Sequence, residues 1–162
     1  FKGLPLYYLD LSGYPWLEDA DLQNLKGMPL ERLKLHEDSH FTDDGMKHLQ
    51  GLPIQYFELH CSSNITDAGL RYIKGMPLLH LSIYDVKELT DARLLDLLEG
   101  TALQYLLLSR TPKITEQGLV QLGDLPLRRL IFVQENCNCN VQVPWHVFKD
   151  AAKRDHLPTE RF

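Results

Sequence analysis

Serine, histidine and a carboxylate recur at matched places along the chain. Ser12 and Ser109 occupy the same periodic position as His36 and His60, and Asp10 stands two residues before Ser12. These are the residue types of a nucleophilic relay, in which an imidazole accepts the hydroxyl proton and a carboxylate orients the imidazole. A relay also needs a sharply turned nucleophile and an oxyanion loop. The sequence around both serines is regular instead, so no catalytic residue is assigned and no enzyme is expected. His36 and His60, with Cys61 directly after, are also metal-ligand types. A structural zinc site usually takes four ligands, and the spacing fixes no further one nearby. The pair is therefore read as two solvated imidazoles, with no metal and no cofactor. Protonation near their reference pKa of ~6.5 would modulate binding in mild acid. Cys137 and Cys139 form one pair without a partner pair and read as turn packing. No Gly-x-x-x-x-Gly-Lys run is present to cradle a phosphate.

The positions of these residues follow from a repeat. The phrase Gly3-Leu4-Pro5-Leu6 returns as Gly27-Met28-Pro29-Leu30, Gly51-Leu52-Pro53-Ile54 and Gly75-Met76-Pro77-Leu78, with weaker copies ending at Leu103 and Leu127. The final apolar residues are spaced by 24 or 25 residues throughout. Each phrase opens an apolar pattern such as Leu30, Leu33, Leu35 or Leu78, Leu81, Ile83. Its last two positions are two apart, the strand period. A second phrase follows: Phe41-Thr42-Asp43-Asp44-Gly45-Met46, Ile65-Thr66-Asp67-Ala68-Gly69-Leu70, Leu89-Thr90-Asp91-Ala92-Arg93-Leu94 and Ile114-Thr115-Glu116-Gln117-Gly118-Leu119. Thr is a natural helix N-cap, and the acidic residue after it favours the positive helix end. Met46 with Leu49, or Leu70 with Ile73, fall on one helix face. Gly51 and Gly75 stand where a left-handed residue ends a helix, and the following Pro stops its continuation. Each unit thus predicts strand, turn, helix, turn. The single extra residue falls in Leu94–Glu99, where a longer helix and a local bulge are expected.

One such unit cannot bury its apolar face alone, so neighbours must stack into a continuous core. The pattern Leu-x-x-Leu-x-Leu followed by Ile-Thr-Asp-x-Gly-Leu resembles the leucine-rich repeat. It is most similar to the subclass found beside F-box segments in ubiquitin-ligase adaptors and in related bacterial repeat proteins. The resemblance implies an α/β solenoid, a right-handed β-α superhelix with a parallel concave sheet and convex helices. It also implies protein recognition: either an interaction module, or the substrate-recognition arm of a ubiquitin-ligase adaptor or secreted bacterial effector whose activity lies in another domain. Its place would be the cytoplasm, that of a host cell in the effector case. Residues 1–135 are assigned to about five and a half repeats, the first truncated, and residues 136–162 to a C-terminal cap and tail. Pro144 is expected to open a helix there, running to about Arg154 with Trp145, Phe148 and Ala152 on one face.

Composition agrees with a globular domain. The chain has 162 residues, 44% hydrophobic and 24% charged, with a net charge of −5. That balance lacks the basic footprint of a nucleic-acid or anionic-membrane binder. No apolar run approaches the ~20 residues of a membrane span. A monomer and a protein partner are expected.

Residues between the buried strand positions point to the face opposite the helices. They form three columns. The first is Tyr8, Arg32, Tyr56, His80, Tyr105 and Arg129. The second begins Asp10, Lys34, Glu58 and continues through Ser82, Leu107 and Ile131. The third is Ser12, His36, His60, Tyr84, Ser109 and Val133. Tyr and Arg are the types most enriched at binding hot spots. The predicted binding residues are Tyr8, Arg32, Lys34, His36, Tyr56, Glu58, His60, His80, Tyr84, Tyr105 and Arg129.

Overall fold

The computed structural model describes residues 4–36, 40–60 and 64–134, and the backbone of 140–144. Six short strands pair in chain order to form a parallel sheet: β1 (Tyr8–Asp10), β2 (Arg32–Leu35), β3 (Tyr56–His60), β4 (His80–Tyr84), β5 (Tyr105–Ser109) and β6 (Arg129–Val133). Between them lie α1 (Asp19–Leu22), α2 (Asp43–Met46), α3 (Asp67–Leu70), α4 (Asp91–Leu98) and α5 (Glu116–Val120). Strand register advances by one repeat at every step, so Tyr8, Arg32, Tyr56, His80, Tyr105 and Arg129 lie side by side. The alternation of one strand with one short helix, repeated in register, is the solenoid-like arrangement the period predicted.

The core lies between sheet and helices. Leu33, Leu35, Phe57, Leu59, Leu81, Ile83, Leu106 and Leu108 project from the strands and are buried. Met46, Leu49, Leu70, Ile73, Leu94 and Leu97 meet them from the helices. Each repeat supplies one layer, and each layer is closed by the next. The large exposed apolar side chains concentrate in the first repeat: Leu4, Tyr7, Tyr8, Tyr14 and Trp16, the last two meeting edge to face at 5.7 Å.

The helix ends follow the predicted chemistry. Thr42, Thr66, Thr90 and Thr115 are N-caps, each accepting a backbone N–H from the first turn. Gly51 and Gly75 adopt φ near +80°, closing the preceding helical turn where a side chain would be strained. In most repeats a four-residue α-helix continues as a three-residue 3-10 turn, whereas α4 is a single eight-residue α-helix. The extra residue thus converts the whole segment to α geometry.

The recurring Asp has a larger role than favouring its own helix end. Asp43 accepts the backbone N–H of Thr66 at 2.8 Å and its hydroxyl at 2.7 Å. Asp19 does the same for Thr42, Asp67 for Thr90 and Asp91 for Thr115. Each Asp clamps the N-cap of the following repeat. The carboxylate then fills the space beside the next helix, and a Cβ at Gly45, Gly69 or Gly118 would collide with it. This explains the glycine three residues after Thr. In α4 the place is taken by Arg93, whose Nε is buried without a hydrogen-bond partner.

Beyond β6 the structure departs from the sequence reading. Residues 140–144 form β7 (Asn140–Pro144), antiparallel to β6. Pro144 ends this strand and does not open a helix at its own position. Proline lacks the N–H for a ladder bond and is tolerated at the end of an edge strand. The rest of the expected C-terminal helix, with Trp145, Phe148 and Ala152, lies outside the described residues, as do Cys61, Cys137 and Cys139. Among the described residues, no helix is long and apolar enough to cross a membrane.

Candidate functional site

The sheet face away from the helices brings the predicted residues together as ordered columns. In the first, the rings of Tyr56 and His80 stack at 4.0 Å, as do those of His80 and Tyr105. Arg32 and Arg129 close the two ends, each guanidinium 5.9 Å from the centre of the adjoining Tyr ring. The result is a symmetric series, Arg–Tyr–His–Tyr–Arg, spanning five strands. Adjacent parallel strands are ~4.8 Å apart, and planar side chains lean along the ladder to reach stacking distance. The guanidiniums lie within reach of the negative ring faces.

The third column contains a second stack. His36 lies 4.0 Å from His60, and His60 lies 3.7 Å from Tyr84, with rings within 20° of parallel. His60 is thus covered on both ring faces, as His80 is in the first column.

Glu58 joins the columns. Its Oε2 accepts from Lys34 Nζ at 3.0 Å and from the Tyr56 hydroxyl at 3.1 Å, while its Oε1 lies 3.1 Å from His60 Nε2. Burial alone would lift the Glu58 carboxyl, but its bonds to Lys34, Tyr56 and His60 hold it below the usual range. The same hydrogen bond raises Lys34, so the pair stays ionised. Burial, then the neighbouring Glu58 charge, raises the Tyr56 and Tyr84 hydroxyls. His80 is lowered to about 4 by burial between its two tyrosines. Its ring is neutral at physiological pH, with Nε2 3.0 Å from Ser82 Oγ. Tyr8, at the edge of the sheet, donates to Asp10 at 3.0 Å, and that bond raises its hydroxyl.

Two residues of the second column do not reach solvent. Ser82 and Ile131, expected on the open face, are buried at 3% and 6% exposure. Ser82 is short, and the His80 ring of its own strand reaches its hydroxyl at 3.0 Å. The residue types of a relay also fail to assemble. Ser12 donates its hydroxyl to Asp10, and His36 lies against His60. The Ser12–His36 hydrogen bond a relay requires is not formed.

Sequence reasoning treated the histidine pair and Glu58 as members of separate columns. In the structure, ligating atoms of His36, Glu58 and His60 all lie within 4.8 Å of one another, a group of three found nowhere else among the described residues. The signal was present as Glu58-x-His60: two residues apart on one strand means one face. On the opposite side of the molecule, a shallow cleft of about 610 Å³ runs between α4 and the segment after α5, floored by Leu98 and Leu122 and rimmed by Asp96, Glu99 and Asp124. Lys74 neutralises part of that rim through Asp96 and Glu99.

Comparison with known protein families and with curated proteins returned no match.

Proposed function

We propose that the chain is a leucine-rich repeat array whose open sheet face is concave and binds a protein or peptide partner, without catalysis of its own. The observation that carries this reading is the Arg32–Tyr56–His80–Tyr105–Arg129 series. His80 is stacked on both sides, and Tyr56 and Tyr105 each lie between it and a guanidinium, so the rings are held before any partner arrives and little side-chain entropy remains to be lost on association. Tyrosine and arginine, so ordered, are the types that anchor interfaces. Lys34 and Glu58 add a charge pair that can select a partner by complementarity. The regular sheet and the separated relay residues support a binding role over an enzymatic one.

The test is affinity capture followed by calorimetry on the captured partner. Wild type is compared with a Tyr56→Ala, Tyr105→Ala double variant. Removing two central anchors should weaken binding by roughly 30-fold or more, since hot-spot truncations cost about 2 kcal/mol or above. Equal affinity of both proteins, with far-UV circular dichroism unchanged, would refute the assignment of this face.

A further inference from the structure

We propose that His36, His60 and Glu58 form a binding site for a divalent transition cation of the zinc, nickel and copper class, with solvent completing the coordination. This does not rest on the partner-binding reading, since a metal can be titrated with no partner present.

The geometry is close to what such an ion requires. Ligand atoms around a tetrahedral zinc at ~2.1 Å lie roughly 3.4 Å apart. His60 Nε2 and Glu58 Oε1 are already 3.1 Å apart. A proton bridges them; an ion ~2.1 Å from both atoms would replace it from a position beside the line that joins them. His36 must come nearer, from a separation of up to 4.8 Å between its ring nitrogen and ligand atoms of Glu58 and His60. In the metal-free arrangement its ring lies only 14° from parallel to that of His60. Lone pairs of parallel rings cannot converge on one ion, so the His36 ring must turn about its Cβ–Cγ bond. That turn gives up the stacking contact with His60, so binding at this site competes with ring stacking. All three side chains are partly exposed, so an ion has access and needs no opening of the core.

The donor set selects the metal class. Two imidazoles and one carboxylate suit zinc, copper and nickel, whereas magnesium and calcium prefer all-oxygen surroundings. Lys34 acts as the competitor: its ammonium sits 3.0 Å from Glu58 Oε2 and holds part of the carboxylate's charge. Entry of an ion weakens that pair. Hence the apparent affinity of the site is set partly by a residue that is not a ligand.

The experiment is calorimetric titration of Zn²⁺ into the full chain, freed of metal by chelation, with Mg²⁺ as control. One Zn²⁺ is expected per chain, and none of comparable strength for Mg²⁺. His36→Ala and Glu58→Gln should each weaken Zn²⁺ binding tenfold or more. Lys34→Met should tighten it several-fold, an effect that a purely structural lysine would not produce. Cys61→Ser controls for a thiol site and should leave the affinity unchanged. A second readout needs no variant: Ni²⁺ added to the isotopically labelled wild type should broaden the amide signals of His36, Glu58 and His60 first. Loss of Zn²⁺ binding in Cys61→Ser alone, unchanged binding in His36→Ala, or Ni²⁺ broadening confined elsewhere would each overturn the proposal.

Discussion

Replacing Gly118 by alanine should destabilise the protein, and removing Asp91 first should reverse that sign. Gly118 lies inside α5, where Gly→Ala ordinarily gains roughly 0.5–1 kcal/mol. Here an added Cβ would overlap the Asp91 carboxylate, of which even the more distant oxygen, Oδ2, stands only 2.7 Å away. To admit the methyl group, that carboxylate must leave the Thr115 N–H and hydroxyl that it accepts at 2.9 and 2.6 Å. Hydrogen bonds to a charged acceptor contribute ~1.5–3 kcal/mol when well buried. These are partly exposed, so about 1 kcal/mol each is the better figure. Gly118→Ala should therefore cost about 1 kcal/mol net. Asp91→Ala alone should cost about 2–3 kcal/mol, including roughly 0.5 kcal/mol for the lost charge at the start of α4. In that background Gly118→Ala meets no carboxylate and should stabilise by up to about 1 kcal/mol. The coupling between the sites is thus about 2 kcal/mol, well above the error of urea melts followed by far-UV circular dichroism. Additive effects, with Gly118→Ala equally harmful in both backgrounds, would show that the carboxylate is not what excludes a side chain there.

Two further outcomes follow from polar groups withdrawn from water, one buried in the core and one half-buried on the open face. Thr111 is fully buried and its hydroxyl has no hydrogen-bond partner, while the matching position one repeat earlier is Val86, also buried. Thr111→Val should raise stability by about 1 kcal/mol, which calorimetry would record as a Tm increase of roughly 2–4 °C; a lower Tm would refute it. Burial lowers His80 to about 4 in the fold, against 6.5 for a free imidazole, so the unfolded chain binds the extra proton between these values. Stability from this residue is complete above pH ~6.5 and is lost as pH falls toward ~4, by something on the order of 2 kcal/mol once partial exposure is allowed for. His80→Phe keeps a ring between Tyr56 and Tyr105 and should flatten that part of the acid-unfolding profile; an unchanged slope in urea melts across this range would count against the buried, neutral imidazole.

Much of this arrangement was legible because it depends on local rules repeated in register. The spacing of Leu33 and Leu35 marks a strand, Thr66 marks a helix start, and Gly75 marks a helix end, each by properties of a few adjacent residues. The columns followed once the period was known, since a constant offset puts Tyr56 beside His80. What depends on contact between repeats was harder to read. Asp43 looks like an ordinary first-turn acid until Thr66 is placed beside it, although the glycine three residues after Thr42, Thr66 and Thr115 was a trace of that neighbour. The meeting of Glu58 with His36 required the exact lean of side chains across two strands. Ser82 is buried beside the His80 ring of its own strand, which alternation alone does not foresee. β7 belongs to no repeat, and a segment without a period offers only propensity, which favoured a helix at Pro144.

The change of helix type in α4 has a bearing on how freely such units can be exchanged. Eight residues of α-helix rise about 12 Å, and four residues of α-helix followed by three of 3-10 helix rise about the same. A unit with one more residue at the back therefore covers the same length behind the sheet as the three units before it. Its strand, β4 to β5, keeps the register of every other step. The tolerance for insertion is taken up by winding, and the front of the molecule is insulated from it. Units with different backs can in this way be interchanged while the spacing of the residues they display stays constant.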